Sequence, residues 1–197
     1  MKELRTYINE SIFDVDDNID KVDVNTKIHK TQEYLSKYYC KSKWDISKKL
    51  NNEGKVEVSS NDNVLARHES GIRTLTNEYF VFKTIHGNFD VSECLDLETL
   101  KGAPKIIYGD FCCYDCPSLK RLDTDTIQVT GNFDISNCTE LESLEGSPKE
   151  VNKYFVYYHA GGSISGKSKK YKTPWTERDV KKYTKLGKGV ISKYEDA

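Results

Sequence analysis

The sequence predicts an α+β chain built on a short β-solenoid, with a helix and strand capping its N-terminal end and a helix after its C-terminal end. Three observations carry this. The segment Gly87-Asn88-Phe89-Asp90-Val91-Ser92-Glu93-Cys94 returns as Gly109-Asp110-Phe111-Cys112-Cys113-Tyr114-Asp115-Cys116 and as Gly131-Asn132-Phe133-Asp134-Ile135-Ser136-Asn137-Cys138, 22 residues later at each step. Each final cysteine is followed by a leucine pair: Leu97 and Leu100, Leu119 and Leu122, Leu141 and Leu144. The 197 residues are 37% hydrophobic and 31% charged, which suits stacked units sharing one thin core better than two independent domains.

Residues 1–25 hold three basic and seven acidic side chains, with Leu4, Tyr7, Ile8, Ile12 and Phe13 at helical spacing. They read as a short amphipathic helix on a flexible acidic tether. Residues 26–62 form the N-terminal cap: a helix from Thr26 to Tyr39 with Ile28, Leu35, Tyr38 and Tyr39 on one face, then a strand at Lys55-Val56-Glu57-Val58. A cap is required because a naked end unit exposes core and an unpaired strand edge.

Residues 63–158 form the solenoid. Its first unit is offset by 25, placing Val64 over Phe89, Ala66 over Val91, and Ile72 and Leu75 over Leu97 and Leu100. Stacked parallel strands align equivalent residues in columns. Phe89, Phe111, Phe133 and Phe155 make one inward column, and Val91, Cys113, Ile135 and Tyr157 the next. Alternation sends Asp90, Cys112, Asp134 and Val156 to the opposite face, so Asp90 and Asp134 are read as surface aspartates. Gly-Ala-Pro-Lys after Lys101 and Gly-Ser-Pro-Lys after Glu145 mark a shared turn; Asp123-Thr124-Asp125-Thr126 predicts a different one in the middle unit.

Residues 159–197 begin with a Gly/Ser-rich linker and carry ten basic against four acidic side chains from 163 onward. Thr173-Pro174-Trp175-Thr176 predicts the start of a helix running to about Lys185. This helix either folds back as a C-terminal cap through Trp175, Val180 and Tyr183 or serves as a docking element.

The chemistry-bearing residues point away from catalysis. Cys112, Cys113 and Cys116 have no second ligand pair nearby to complete a zinc site. One thiol per unit at Cys94, Cys116 and Cys138 instead predicts a buried structural column. Gly161 to Ser168 fits G-x-x-x-x-G-K-S, but without a strand entering a helix the pattern lacks the context of a phosphate loop. The aspartates lack the spacing of a calcium-binding β-roll, and the four histidines have no ligand or nucleophile at a recognisable spacing. No metal, no cofactor and no enzymatic activity are expected. No apolar stretch reaches the roughly 18–20 residues of a membrane span, no leader pattern opens the chain, and six cysteines without a leader argue for reduced thiols in the cytoplasm.

The unit F-x-[VI]-x-x-C-x-x-L-x-x-L-x-G-x-P-K resembles the leucine-rich repeat family, and is most similar to its treponemal, BspA-like subclass with cysteine at the turn. It also resembles repeat proteins of tailed phages of gut bacteria, in which such units follow a segment like residues 4–20. The resemblance covers about half of the chain and implies a curved, leucine-rich-repeat-like solenoid that binds macromolecules without catalysis.

The first expected role is therefore a protein-protein interaction module, phage-encoded and acting in the bacterial cytoplasm on a host factor. The column Glu98, Lys120, Glu142 alternates in sign, and with Thr99, Arg121, Ser143, Asp90 and Asp134 it forms the candidate binding face. A second role is a virion or assembly protein docking through its N-terminal segment. Nucleic-acid binding through Lys167, Lys169, Lys170, Lys172 and Trp175 ranks last, because the total charge is −1 and no nucleic-acid fold is recognised.

Overall fold

The computed structural model describes residues 23–39, 43–66, 69–161 and 175–191. The acidic segment through residue 22, most of the Gly/Ser linker, and Lys167, Lys169, Lys170 and Lys172 lie outside the described residues.

The solenoid predicted from the repeat is the fold. Helix α1 covers residues 23–38. Strands β1 (Trp44–Leu50) and β2 (Val56–Ser60) form an antiparallel hairpin, and every later pairing is parallel. The chain then winds through β3 (Val64–Leu65), β4 (Phe80–Ile85), β5 (Phe89–Asp90), β6 (Ile106–Ile107), β7 (Phe111–Cys112), β8 (Gln128–Val129), β9 (Phe133–Asp134), β10 (Glu150–Val151) and β11 (Tyr154–Val156). A single helical turn, α2 (Glu177–Val180), leads to β12 (Lys185–Leu186) and β13 (Gly189–Ile191). The first sheet runs β1-β2-β4-β6-β8-β10-β12, and the second β13-β11-β9-β7-β5-β3. The cysteine-to-leucine stretch of each unit makes a third, irregular side.

Register confirms the columns. Phe89, Phe111, Phe133 and Phe155 are paired strand to strand and fully buried, with ring centroids 5.5, 5.0 and 5.0 Å apart. Cys94, Cys116 and Cys138 are buried at the bend, and their thiols donate to the carbonyls of Ala66 (2.9 Å), Val91 (3.3 Å) and Cys113 (3.0 Å) in the preceding turn.

The Gly-Asn-Phe motif is explained by the approach of successive turns. The side chains of Asn63, Asn88, Asp110 and Asn132 accept the backbone N–H of Asn88 (2.8 Å), Asp110 (2.8 Å), Asn132 (2.7 Å) and Tyr154 (3.1 Å), each one turn further on. Its first three rungs leave no room beside them, at Gly87, Gly109 and Gly131. A Cβ on Gly131 would lie 2.6 Å from the Gly109 carbonyl oxygen and overlap the Asp110 carboxylate.

At the N-terminal end α1 closes the core as expected: Leu35 and Tyr39 are buried, and Tyr39 packs edge-on against Phe82 at 5.4 Å. Tyr34, outside the predicted face, adds an edge contact to Phe80 at 5.6 Å. The unpredicted strand β1 is the sheet edge, and a bulge between Ile46 and Leu50 with exposed Lys48 and Lys49 discourages further pairing.

At the C-terminal end the predicted helix is corrected. It stops at Val180 because Lys185 and Gly187 donate to the Lys149 and Val151 carbonyls (2.9 and 2.8 Å), extending the first sheet instead. A short helix has little intrinsic stability to set against such a ladder. Val180 is buried and Trp175 packs against the core, so this segment closes onto the solenoid as a cap. No described helix is long and apolar enough to cross a membrane.

Truncating the aromatic column with Phe111→Ala is expected to cost about 3–5 kcal/mol in urea denaturation. Gly131→Ala, which would gain roughly 0.4–1 kcal/mol at an unconstrained position, is expected to destabilise; a stabilised Gly131→Ala would disprove the close-approach account.

Candidate interaction surface

The columns Glu98, Lys120, Glu142 and Thr99, Arg121, Ser143 lie on the third side, outside the two sheets, with Lys120, Arg121 and Glu142 exposed, while the hydroxyls of Thr99 and Ser143 close turns. Arg73 precedes the alternating column: Glu98 N–H donates to the Arg73 carbonyl (2.9 Å), Lys120 to Glu98 (3.0 Å) and Glu142 to Lys120 (3.0 Å). The Arg73 guanidinium hydrogen-bonds Glu98, 3.0 Å from Nε, which holds the Glu98 carboxyl below its ordinary range, with Lys120 and Arg121 lowering it further. The pair is solvent-exposed and contributes little to stability.

The hydroxyls of Thr74, Thr99 and Ser143 accept the N–H two residues on, in Thr76 (3.2 Å), Lys101 (3.2 Å) and Glu145 (3.0 Å). Arg121 occupies this position in the middle unit and cannot accept. There the Thr124 hydroxyl accepts Thr126 N–H at 3.0 Å, Asp123 adopts φ 43°, and Arg121 pairs with Asp123 at 3.4 Å. The middle turn is thus built differently, as its sequence predicts.

Asp90 and Asp134 require correction. Asp90 is only 3% exposed and Asp134 is partly buried; their carboxylates accept the N–H of Ser92 (3.0 Å) and Ser136 (2.8 Å). These bonds brace the left-handed residues Glu93 (φ 60°) and Asn137 (φ 58°), so the aspartates hold corners of the winding. Burial pushes the Asp134 carboxyl up, against the lowering effect of its hydrogen bonds with Ser136. Trp175 is also no free tail residue: its ring lies over Gly161 and the last turn.

The thiols behave as core. Burial pushes Cys94 up to about 12, and Cys113 and Cys138 well up also. Protonated thiols are poor nucleophiles and poor metal ligands. Among the described residues no group of three or more His, Cys, Asp or Glu side chains could hold a metal ion.

A surface not anticipated from the sequence lies on the outer face of the first sheet. Ile85, Ile107, Val129 and Val151 point inward from it and are fully buried. The residues on either side of each therefore point outward. One outer column is Thr84, Ile106, Gln128, Glu150, Lys185; the residues just before the first four, Lys83, Lys105, Ile127 and Lys149, are exposed as well and form a second column at the start of the strands. Beyond them His86 stacks on Tyr108, with centroids 4.9 Å apart and planes 13° from parallel. Tyr108 and Ile127 are each 49% exposed, with Ile106 half-buried between them. At the N-terminal side a groove of about 360 Å³ is lined by Asp45, Ser47, Glu57, Ser59, Lys83 and His86, among others.

The charges on this face are unevenly satisfied. Lys83 pairs with Glu57 at 2.6 Å and Lys185 with Glu150 at 3.0 Å. Lys105 and Lys149, on either side of Ile127, make no ion pair among the described residues. An available signal for the face was the 22-residue recurrence of Ile85, Ile107, Val129 and Val151.

No family model matches the chain, and neither a curated protein nor a solved structure matches it.

Pulse labelling with a maleimide, read by mass spectrometry, is expected to modify half-buried Cys112 well before Cys94, Cys113, Cys116 and Cys138, which react only as the chain unfolds. Asp134→Asn keeps an acceptor for Ser136 N–H and removes a desolvated charge. A carboxyl whose pKa is raised by folding weakens the fold as pH climbs through its folded value. The variant should therefore melt higher than the parent at pH 7 and lose that advantage near pH 3, where both states are protonated.

Proposed function

We propose that this chain is a non-catalytic binding module that takes a protein partner on the outer face of its first sheet. The observation that carries this reading is the grouping of Tyr108, Ile127 and Ile106 on a sheet face whose inner side is locked into the core. Aromatic and aliphatic side chains gathered at the centre of a patch, with charge at the rim, are the usual composition of a recognition surface. Among the described residues the other large exposed apolar side chains, Leu65, Leu95, Tyr154 and Tyr183, stand elsewhere.

A rigid platform favours this use. Each strand is hydrogen-bonded to the next turn, so a partner would find its contacts already placed and little ordering entropy would be lost. The described histidines serve three unrelated contacts, His29 with Glu33, His86 with Tyr108 and His159 with Asn137, which fits binding better than a shared reaction centre. The resemblance to phage-encoded leucine-rich repeat proteins supports a host-cell protein as the partner.

Affinity capture from bacterial lysate with the full chain tests this. Ile127→Asp and Tyr108→Ala are expected to weaken the captured complex by about 2 kcal/mol each, roughly thirtyfold in affinity. Charge reversal at Lys120 and Glu142 on the third side should leave it unchanged. The opposite pattern would move the interface to the third side and refute the proposal.

A further inference from the structure

The geometry points to the chemical class of that partner: a polypeptide segment presenting carboxylates on either side of an apolar side chain. This inference rests on the first-sheet face being the binding surface, and adds what the face selects.

The column Lys83, Lys105, Ile127, Lys149 is fixed by backbone bonds between turns, with Lys105 N–H on the Lys83 carbonyl (3.0 Å) and Ile127 N–H on that of Lys105 (2.7 Å). Neighbouring strands lie about 4.8 Å apart, so the backbones at Lys105 and Lys149 stand about 10 Å from one another with Ile127 midway. An extended chain rises roughly 3.3 Å per residue and turns every second side chain to one face, so residues i, i+2 and i+4 face the column together over about 13 Å. Lysine stems are flexible enough to meet carboxylates at i and i+4 of such a segment while the side chain at i+2 covers Ile127.

Charge placement gives the sign. The outer lysines of the face are already matched, Lys83 by Glu57 and Lys185 by Glu150. The two that flank the apolar centre are exposed and pair with no carboxylate among the described residues. A partner supplying those carboxylates completes the alternation that the rest of the face already shows, and a partner with lysines there would be repelled. The same pattern disfavours a polyanion. A nucleic-acid strand following the column would pass Glu57 and Glu150, and Asp45 lines the adjoining groove. Uniform backbone charge suits a continuous basic stripe, which this is not.

The experiment is a selection from a random peptide display library on the full chain and, in parallel, on the Lys105→Glu/Lys149→Glu variant. Both lysines are exposed and make no ion pair among the described residues, so the variant should melt with the parent. The parent is expected to enrich sequences with Asp or Glu on both sides of an aliphatic or aromatic residue. Fluorescence anisotropy of those peptides should show at least about a tenfold loss of affinity on the double variant and on Ile127→Asp.

Enriched peptides that lack carboxylates but still depend on Ile127 would overturn the chemistry and keep the face. Peptides unaffected by all three substitutions would overturn the face itself. A single-stranded oligodeoxynucleotide that binds more tightly than the enriched peptides and displaces them would replace the polypeptide by a nucleic acid and overturn the inference.

Discussion

The structure depends on how closely each turn can approach the one before it. A unit of about 22 residues has no core of its own, so it is stable only when its neighbour lies within hydrogen-bonding distance along the whole winding. The tightest point is the corner before each second-sheet strand. There the side chain at Asn63, Asn88, Asp110 or Asn132 takes the N–H of its counterpart one turn on, and in the first three steps Gly87, Gly109 and Gly131 stand where a Cβ would collide, Lys153 holding that place in the last. Asp110 can replace asparagine because the role needs only an oxygen acceptor. Once that corner is set, the phenylalanines stack and the thiols reach the carbonyls of the preceding turn.

The ends show what happens when the repeat gives out. At the N-terminal side the next layer is a helix whose Tyr39 ring takes the place of a further aromatic step beside Phe89, 6.3 Å between centroids. The antiparallel hairpin beside it turns the sheet edge into a bulged, lysine-bearing strand, a form that resists pairing with other chains. At the C-terminal side the last turn keeps both strands but replaces the cysteine-leucine side with Trp175 and α2, whose Asp179 carboxylate accepts the Thr176 N–H (3.0 Å) and hydroxyl (2.8 Å). Leu186 and Val190 sit in the inward columns there, only partly buried because no described strand follows.

Much of the fold was legible because three columns carry a distinctive residue in each of the three central turns: Phe, Cys and the leucine pair. The first sheet was not, for a physical reason. Strands such as Ile106–Ile107 and Gln128–Val129 are two residues long, too short for the alternation by which a strand is recognised. Only the single inward residue, Ile85, Ile107, Val129 or Val151, repeats, and its neighbours differ from turn to turn. The candidate surface was hidden along with those strands. Asp90 and Asp134 were misplaced because alternation assigns a face without knowing that a carboxylate can be drawn in to brace a left-handed corner. The C-terminal helix was overextended because its start signals are local, while the strand that ends it is specified by Lys149 and Val151, more than thirty residues away.

The same contrast separates the sides of the winding. On the third side the repeated Thr or Ser is consumed in closing turns, and on the second sheet the outward Asp is consumed in bracing corners. Both sides repeat in the turns where those atoms close the winding, and the middle unit, with Arg121 and Cys112 at these positions, closes its turn through Thr124 instead. On the first sheet, Thr84, Ile106, Gln128 and Glu150 occupy one column, and His86, Tyr108, Thr130 and Asn152 follow their inward neighbours. Residues so different in size and charge share one backbone geometry, so the stack does not dictate them. A face that is rigid in its backbone and unconstrained in its side chains can be shaped for a partner without loss of the fold.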